Sequence, residues 1–237
     1  MNVILDIDET FVQYGNNDDW DIVPDADKSK YELVRPNKRG FFILRPHFDK
    51  FFEFLFKNCR TVNLWTLSDK EYAEGVASLI AKRGSALGKT WKIANIWVDT
   101  DNDEASDNYG GHKNITWIRF EHDHMFMPFN TVLVDDLPRN TQNKFNMRNG
   151  IQILPFDPLG HAKDRKDRTP GSMRKGPYHE MSSDDTLLKV IEKLKEVMEK
   201  PMFEDSTKIN VSAGGKRKRL QKKTKRSKGL RRKTSRR

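Results

Sequence analysis

Cysteine is almost absent from this chain: Cys59 is the only one in 237 residues. A single thiol excludes an intrachain disulfide and any thiolate metal cluster, and it points to a reducing compartment. Long apolar runs are missing as well. None approaches the roughly 20 residues that cross a bilayer as a helix, so no membrane partner is expected. With a charged motif already at position 6, no signal peptide and no preceding domain are expected. Acid disappears from the end of the chain, where Ala213 to Arg237 holds 14 Lys and Arg and no Asp or Glu. That stretch also has no aromatic residue, which argues against reading a nucleic-acid sequence by base stacking.

These absences reframe the formal charge of +10. Once the terminal stretch is set aside, 30 Lys and Arg face 34 Asp and Glu. The body is mildly acidic and the basic excess sits in a tail. At 35% apolar residues, the chain can fill one sizeable core. We expect a folded domain over residues 1–200 and a disordered polybasic tail over 201–237, because the tail has too little apolar surface to bury.

What is present alternates in period. Short, mostly continuous apolar runs at Asn2–Leu5, Thr61–Trp65, Ile93–Val98, Thr131–Val134 and Ile151–Leu154 predict strands of a parallel sheet covered on both faces. Between them, helical spacing predicts helices over His47–Asn58 and Asp69–Arg83, with a last one over Ser183–Lys200. Ser68, three residues before Glu71, suggests a capping box, and Gly84 a helix stop. Val12–Arg39 reads as loops or a small flap, a strand-like FFIL follows it, and Pro155–Met181 reads as a long surface loop. The alternation predicts an α/β doubly wound, Rossmann-like parallel sheet.

Ligands of such sheets bind beyond the carboxyl ends of the strands. Asp6 and Asp8 follow the first run, Thr66 the second, and Asp135 with Asp136 the fourth. Asp18–Asp19 and Asp184–Asp185 follow no such run. Carboxylates gathered at one edge repel unless a cation sits among them. Oxygen donors without Cys or His favour Mg2+. A carboxylate can also act as nucleophile on phosphorus, with a second as general acid and then base.

The motifs carrying these residues resemble a family. DIDET matches the DxDxT signature of haloacid dehalogenase (HAD) superfamily phosphatases, and more closely their Fcp/Scp-like, NLI-interacting-factor-like group that acts on the C-terminal domain of RNA polymerase II. ILRPHFDKFFEFL, VNLWTLSDKEYAE, YGGHKNITWI and VLVDDLPRN are similar to further segments of that group. The resemblance implies an HAD-like fold, Asp6 as nucleophile and Asp8 as acid/base. It implies Asp6, the main-chain carbonyl of Asp8, Asp135 and Asp136 as Mg2+ ligands, and Thr66 and Lys113 on the phosphoryl oxygens. Thr10, Arg45 and Ser68 are implied as site support or substrate contacts. Only 56 positions separate Thr10 from Thr66, which leaves room for a small flap but no large cap domain. An open cleft suits a phosphoserine or phosphothreonine on a flexible protein segment.

Other readings stand beside this one. The tail over 216–237 could dock nucleic acid nonspecifically, making the enzyme a phosphatase of nucleic-acid ends or nucleotides. It could equally bind an import receptor and direct the chain to the nucleus or nucleolus. Tails of this build also resemble those on proteins of large DNA viruses. A non-catalytic phosphoprotein- or nucleic-acid-binding module on the same scaffold is the third reading. The acids Asp99, Asp101, Asp103, Glu104 and Asp107 form a segment on which the tail could fold. His122 and His124 read as a polar loop pair, Cys59 as inert, and the chain as a monomer.

Overall fold

The computed structural model describes residues 1–35, 40–98, 113–121, 125–127, 129–144, 146–160 and 178–199. The acidic segment at 99–107, His122, His124 and the basic tail lie outside the described residues. Among the described residues, five strands form a parallel sheet: β1 Asn2–Leu5, β5 Thr61–Trp65, β6 Ile96–Trp97, β7 Thr131–Asp135 and β8 Gly150–Gln152, in the order β6-β5-β1-β7-β8. The first strand of the chain is therefore the central one. Val3 lies in register with Val62 and Val132, and Leu5 with Leu64 and Val134.

Continuous apolar strands make sense because both sheet faces are covered. Val3, Leu5, Val62, Leu64 and Val134 join one core with helices α2 Phe48–Asn58, α3 Lys70–Ala86 and α6 Thr186–Glu199, the short helix α5 being Pro138–Thr141 after β7. Ile4, Trp65 and Leu133 point the other way, into a core with Trp97, Trp117 and Phe126 beside helix α4 Ile115–Glu121. Phe48, Phe51, Phe52 and Leu55 are buried on α2, each worth about 1.5–3 kcal/mol of transfer free energy.

Between β1 and α2 the polar segment folds into a small antiparallel sheet, β2-β4-β3, built from β2 Val12–Asn16, β3 Glu32–Val34 and β4 Gly40–Leu44. A 3₁₀ turn at Asn17–Ile22 and the short helix α1 Asp25–Lys28 link its strands. This is the small flap that the sequence suggests. Its core holds Val23, Tyr31, Phe41, Ile43, Phe156 and Leu159.

Several local expectations are corrected. Asp69, not Ser68, caps α3, accepting from the Tyr72 amide at 2.8 Å. Ser68 is not free to cap because its hydroxyl turns to Asp8. Gly84 does not end the helix, which runs to Ala86. A Cβ there would stand 2.7–2.9 Å from Trp91 side-chain atoms, and Gly88, at φ 68°, takes the left-handed turn instead. The run at 93–98 yields only a two-residue edge strand. The fifth strand is Gly150–Gln152, and Leu154 beyond it is 73% exposed. Residues 155–160 are not surface loop, since Phe156 and Leu159 plug the flap core. Asp19 is buried, closing a capping box with Asn16.

Candidate active site

Parallel pairing puts the carboxyl ends of β1, β5 and β7 side by side, and Asp6, Thr66 and Asp135 are delivered to one edge. Asp6 is buried, and its Oδ2 accepts from Thr10 Oγ1 at 3.2 Å. Its Oδ1 takes a hydrogen bond from the Lys113 ammonium. The same Lys113 Nζ lies 2.8 Å from Asp135 Oδ2. Asp6, Asp135 and Asp136 each present an oxygen, and these three atoms fall within 4.8 Å of one another.

The electrostatics follow from this crowding. Burial pushes the Asp6 carboxyl well above the usual carboxylate range. Lys113 opposes that rise, while the neighbouring Asp135 and Asp136 charges add to it. Burial alone would lower Lys113, yet the Asp135 and Asp6 charges and hydrogen bonds hold it above the ordinary lysine value. The ammonium therefore stays charged. Three buried all-oxygen donors, one of them disfavoured as an anion by burial and by the two neighbouring carboxylates, fit a hard divalent cation.

Lys113 and Asp135 are locked to each other by asparagines that the sequence reading missed. Asn140 Oδ1 accepts from the Lys113 amide at 3.3 Å, and its Nδ2 donates to Asp135 Oδ2 at 2.9 Å. Asn146 Nδ2 holds the Lys113 carbonyl at 2.5 Å, and Asn143 Nδ2 reaches the same oxygen at 3.2 Å. The Leu137 amide donates to Asp135 Oδ1 at 2.8 Å. The regular spacing of Asn140, Asn143 and Asn146 after the Asp pair was the available signal.

Asp8 faces the junction between β5 and α3. Its Oδ2 accepts from Ser68 Oγ at 3.3 Å and its Oδ1 from the Tyr72 hydroxyl. Thr66 is buried, and its Oγ1 accepts from the Ser68 amide at 3.0 Å, which orders that junction. Burial, then the Asp8 charge, push the Tyr72 phenol well above the ordinary tyrosine value, so it remains a neutral donor. Tyr72 reads in sequence as one more helix core residue, because periodicity does not register its hydroxyl.

Arg45 is placed differently from the other candidates. It is 1% exposed and does not present a surface to substrate. Its Nη1 donates to the Thr10 carbonyl at 2.8 Å and its Nη2 to the Leu154 carbonyl at 2.9 Å. Its Nε and Nη2 meet Asp184 at 3.2 and 2.9 Å. It thus supports the loop after Asp8 from behind. Glu9 in that loop takes a left-handed backbone, φ 59°, and its carbonyl accepts from the Phe156 amide at 2.6 Å.

The model of the NLI interacting factor-like phosphatases matches residues 1–207. Among solved structures, that of Fcp1, an essential RNA polymerase II CTD phosphatase, is similar with a TM-score of 0.57 at 14% identity, over 91% of this chain and 67% of that one. At that identity the likeness concerns the fold. A fission yeast Fcp1 variant bound to beryllium fluoride gives 0.48 at 14% identity, over 90% of this chain and 56% of the other. No curated protein matches the chain.

Proposed function

The chain belongs to the NLI interacting factor-like phosphatases, and from that premise we propose that it is a Mg2+-dependent, monomeric protein serine/threonine phosphatase. Its substrate would be a phosphorylated flexible segment of the kind found in the C-terminal domain of RNA polymerase II, reached in the nucleus. The observation that carries the reading is the gathering of Asp6, Asp135 and Asp136 around one edge, with Lys113 against two of them.

Asp6 attacks phosphorus as the bond to the serine or threonine oxygen breaks, and Asp8 gives its proton to that departing oxygen. A water oxygen then adds to the phosphorus of the aspartyl-phosphate. Asp8 takes up the water proton, the bond to Asp6 breaks, and inorganic phosphate leaves. Thr66 and the buried Lys113 hold the phosphoryl oxygens while charge shifts, which is the main demand of phosphoryl transfer. Mg2+, held by Asp6, the Asp8 carbonyl, Asp135 and Asp136, would neutralise phosphoryl charge when bound. Thr10 anchors Asp6 and Arg45 steadies the Asp8–Thr10 loop.

Phosphate release from a phosphoserine peptide, with and without Mg2+, tests this directly. Wild type should exceed Asp6→Asn and Asp8→Asn by about 10²-fold or more. Wild-type turnover no higher than that of Asp6→Asn sinks the reading. The 14 basic residues beyond Ala213 support a second reading, docking of nucleic acid. Oligonucleotides phosphorylated at the 3′ or 5′ end should be poor substrates. Faster turnover of them than of the peptide, lost when residues 201–237 are removed, would favour a nucleic-acid-end phosphatase.

A further inference from the structure

We propose that Tyr72 is a positioning residue for the acid/base, its hydroxyl fixing, with Ser68, the direction in which Asp8 presents its proton to the departing oxygen. The proposal rests on the reading of Asp8 as general acid. An aspartate on a loop beyond a strand can rotate about two side-chain torsions, and proton transfer needs one of those orientations. Here both carboxyl oxygens are engaged, Oδ1 by Tyr72 and Oδ2 by Ser68. Both donors come from the β5–α3 junction, Ser68 from its turn and Tyr72 from the first turn of α3, and that junction is itself ordered. Thr66 Oγ1 fixes the Ser68 amide, and Asp69 fixes the Tyr72 amide at the start of α3.

The phenol has little freedom to leave. Tyr14 meets the Tyr72 ring edge-on at 5.9 Å and 89°, and Phe42 tilts against it at 5.7 Å. A tyrosine needed only for packing would do as well without its hydroxyl. This one sends the hydroxyl across the site edge, from α3 to a carboxylate 64 positions earlier in the chain. The same β5–α3 junction therefore carries the proposed phosphoryl-binding Thr66 and the two groups that aim the acid. Phosphoryl binding and proton delivery would share one rigid support.

The test exploits the leaving group. Benzyl phosphate and p-nitrophenyl phosphate are similar in size, but the first departs as an alkoxide that needs a proton and the second as a stabilised phenolate that does not. Tyr72→Phe keeps the ring and removes the hydroxyl. In the full-length enzyme, kcat/KM for benzyl phosphate should fall about tenfold or more, and for p-nitrophenyl phosphate less than about twofold. Ser68→Ala should show the same bias, with a larger loss for benzyl phosphate than for p-nitrophenyl phosphate. Added to Asp8→Asn, Tyr72→Phe should cost nothing further, because its effect runs through Asp8. Equal losses on both substrates, no loss on either, or an undiminished loss in the Asp8→Asn background would overturn the proposal. Asp8→Asn alone separates the two layers. Absence of leaving-group selectivity there removes the acid role and Tyr72's with it; selectivity there without any in Tyr72→Phe removes only the inference about Tyr72.

Discussion

Replacing Asp184 by Ala would leave a buried guanidinium without its carboxylate. The Arg45 side chain is fully buried and that of Asp184 9% exposed, and they are joined by two hydrogen bonds at 2.9 and 3.2 Å. Breaking a buried pair by removing one partner costs about 3–5 kcal/mol, because the surviving charge stays desolvated. Arg45 keeps the Thr10 and Leu154 carbonyls at 2.8 and 2.9 Å, and it still packs on the Phe156 ring at 5.5 Å. The loss should therefore sit near the lower end, about 3 kcal/mol. The Thr186 amide, 2.7 Å from Asp184 Oδ1, also loses its acceptor near the start of α6.

Urea denaturation at neutral pH measures this. With a slope of about 2 kcal/mol per molar, the midpoint should fall by about 1.5 M without a change of slope. Glu192→Gln, which removes an exposed partner of Lys195, is the control and should change stability by less than about 0.5 kcal/mol. Asp184 also predicts a pH signature. Burial pushes its carboxyl up, but the hydrogen bonds and charge of Arg45 outweigh that and leave it below the ordinary value. A depressed folded value means stability that is complete above the unfolded carboxylate range and is lost as pH falls through the folded value. The gap between wild type and Asp184→Ala should be constant from about pH 5 to 8 and shrink below about pH 4. A loss under about 1 kcal/mol, or a gap that widens in acid, would refute the clamp.

Gly84→Ala should destabilise by about 1–3 kcal/mol in the same assay, although alanine is the better helix former, because its methyl meets the Trp91 ring. A stabilised variant would show that Trp91 yields easily. Burial pushes the Cys59 thiol up to about 11, so iodoacetamide at pH 8 should label the native protein roughly 100-fold more slowly than a free cysteine. Labelling at the free-thiol rate would mean that the residue is neither shielded nor perturbed.

Much of the edge that bears the candidate site was legible in sequence for a simple reason. A buried parallel strand announces itself by a short continuous apolar run, and such strands all end at the same edge. Residues following Leu5, Trp65 and Val134 had to be neighbours once those runs paired in parallel, as β1, β5 and β7 do. The flap was harder to read because its strands are short and partly polar. Glu32–Val34 exposes Glu32 and acquires its identity only by pairing with Gly40–Leu44. Phe156 and Leu159 looked like loop residues because the surface they plug lies in a different part of the chain.

The sequence by itself determined which chemistry the chain carries: oxygen donors without thiols, placed after strands, and a basic excess confined to the last residues. These are properties of composition and local period, and local rules suffice to state them. Only the tertiary structure decided how each group is held. It turned Ser68 from a helix cap into a donor to Asp8, and gave the Tyr72 hydroxyl the same target. It buried Arg45 against Asp184, 139 positions away, and tied Lys113 to Asp135 through Asn140. A side chain's hydrogen-bond partner depends on which distant segments pack beside it, and that is fixed by the closing of the whole core.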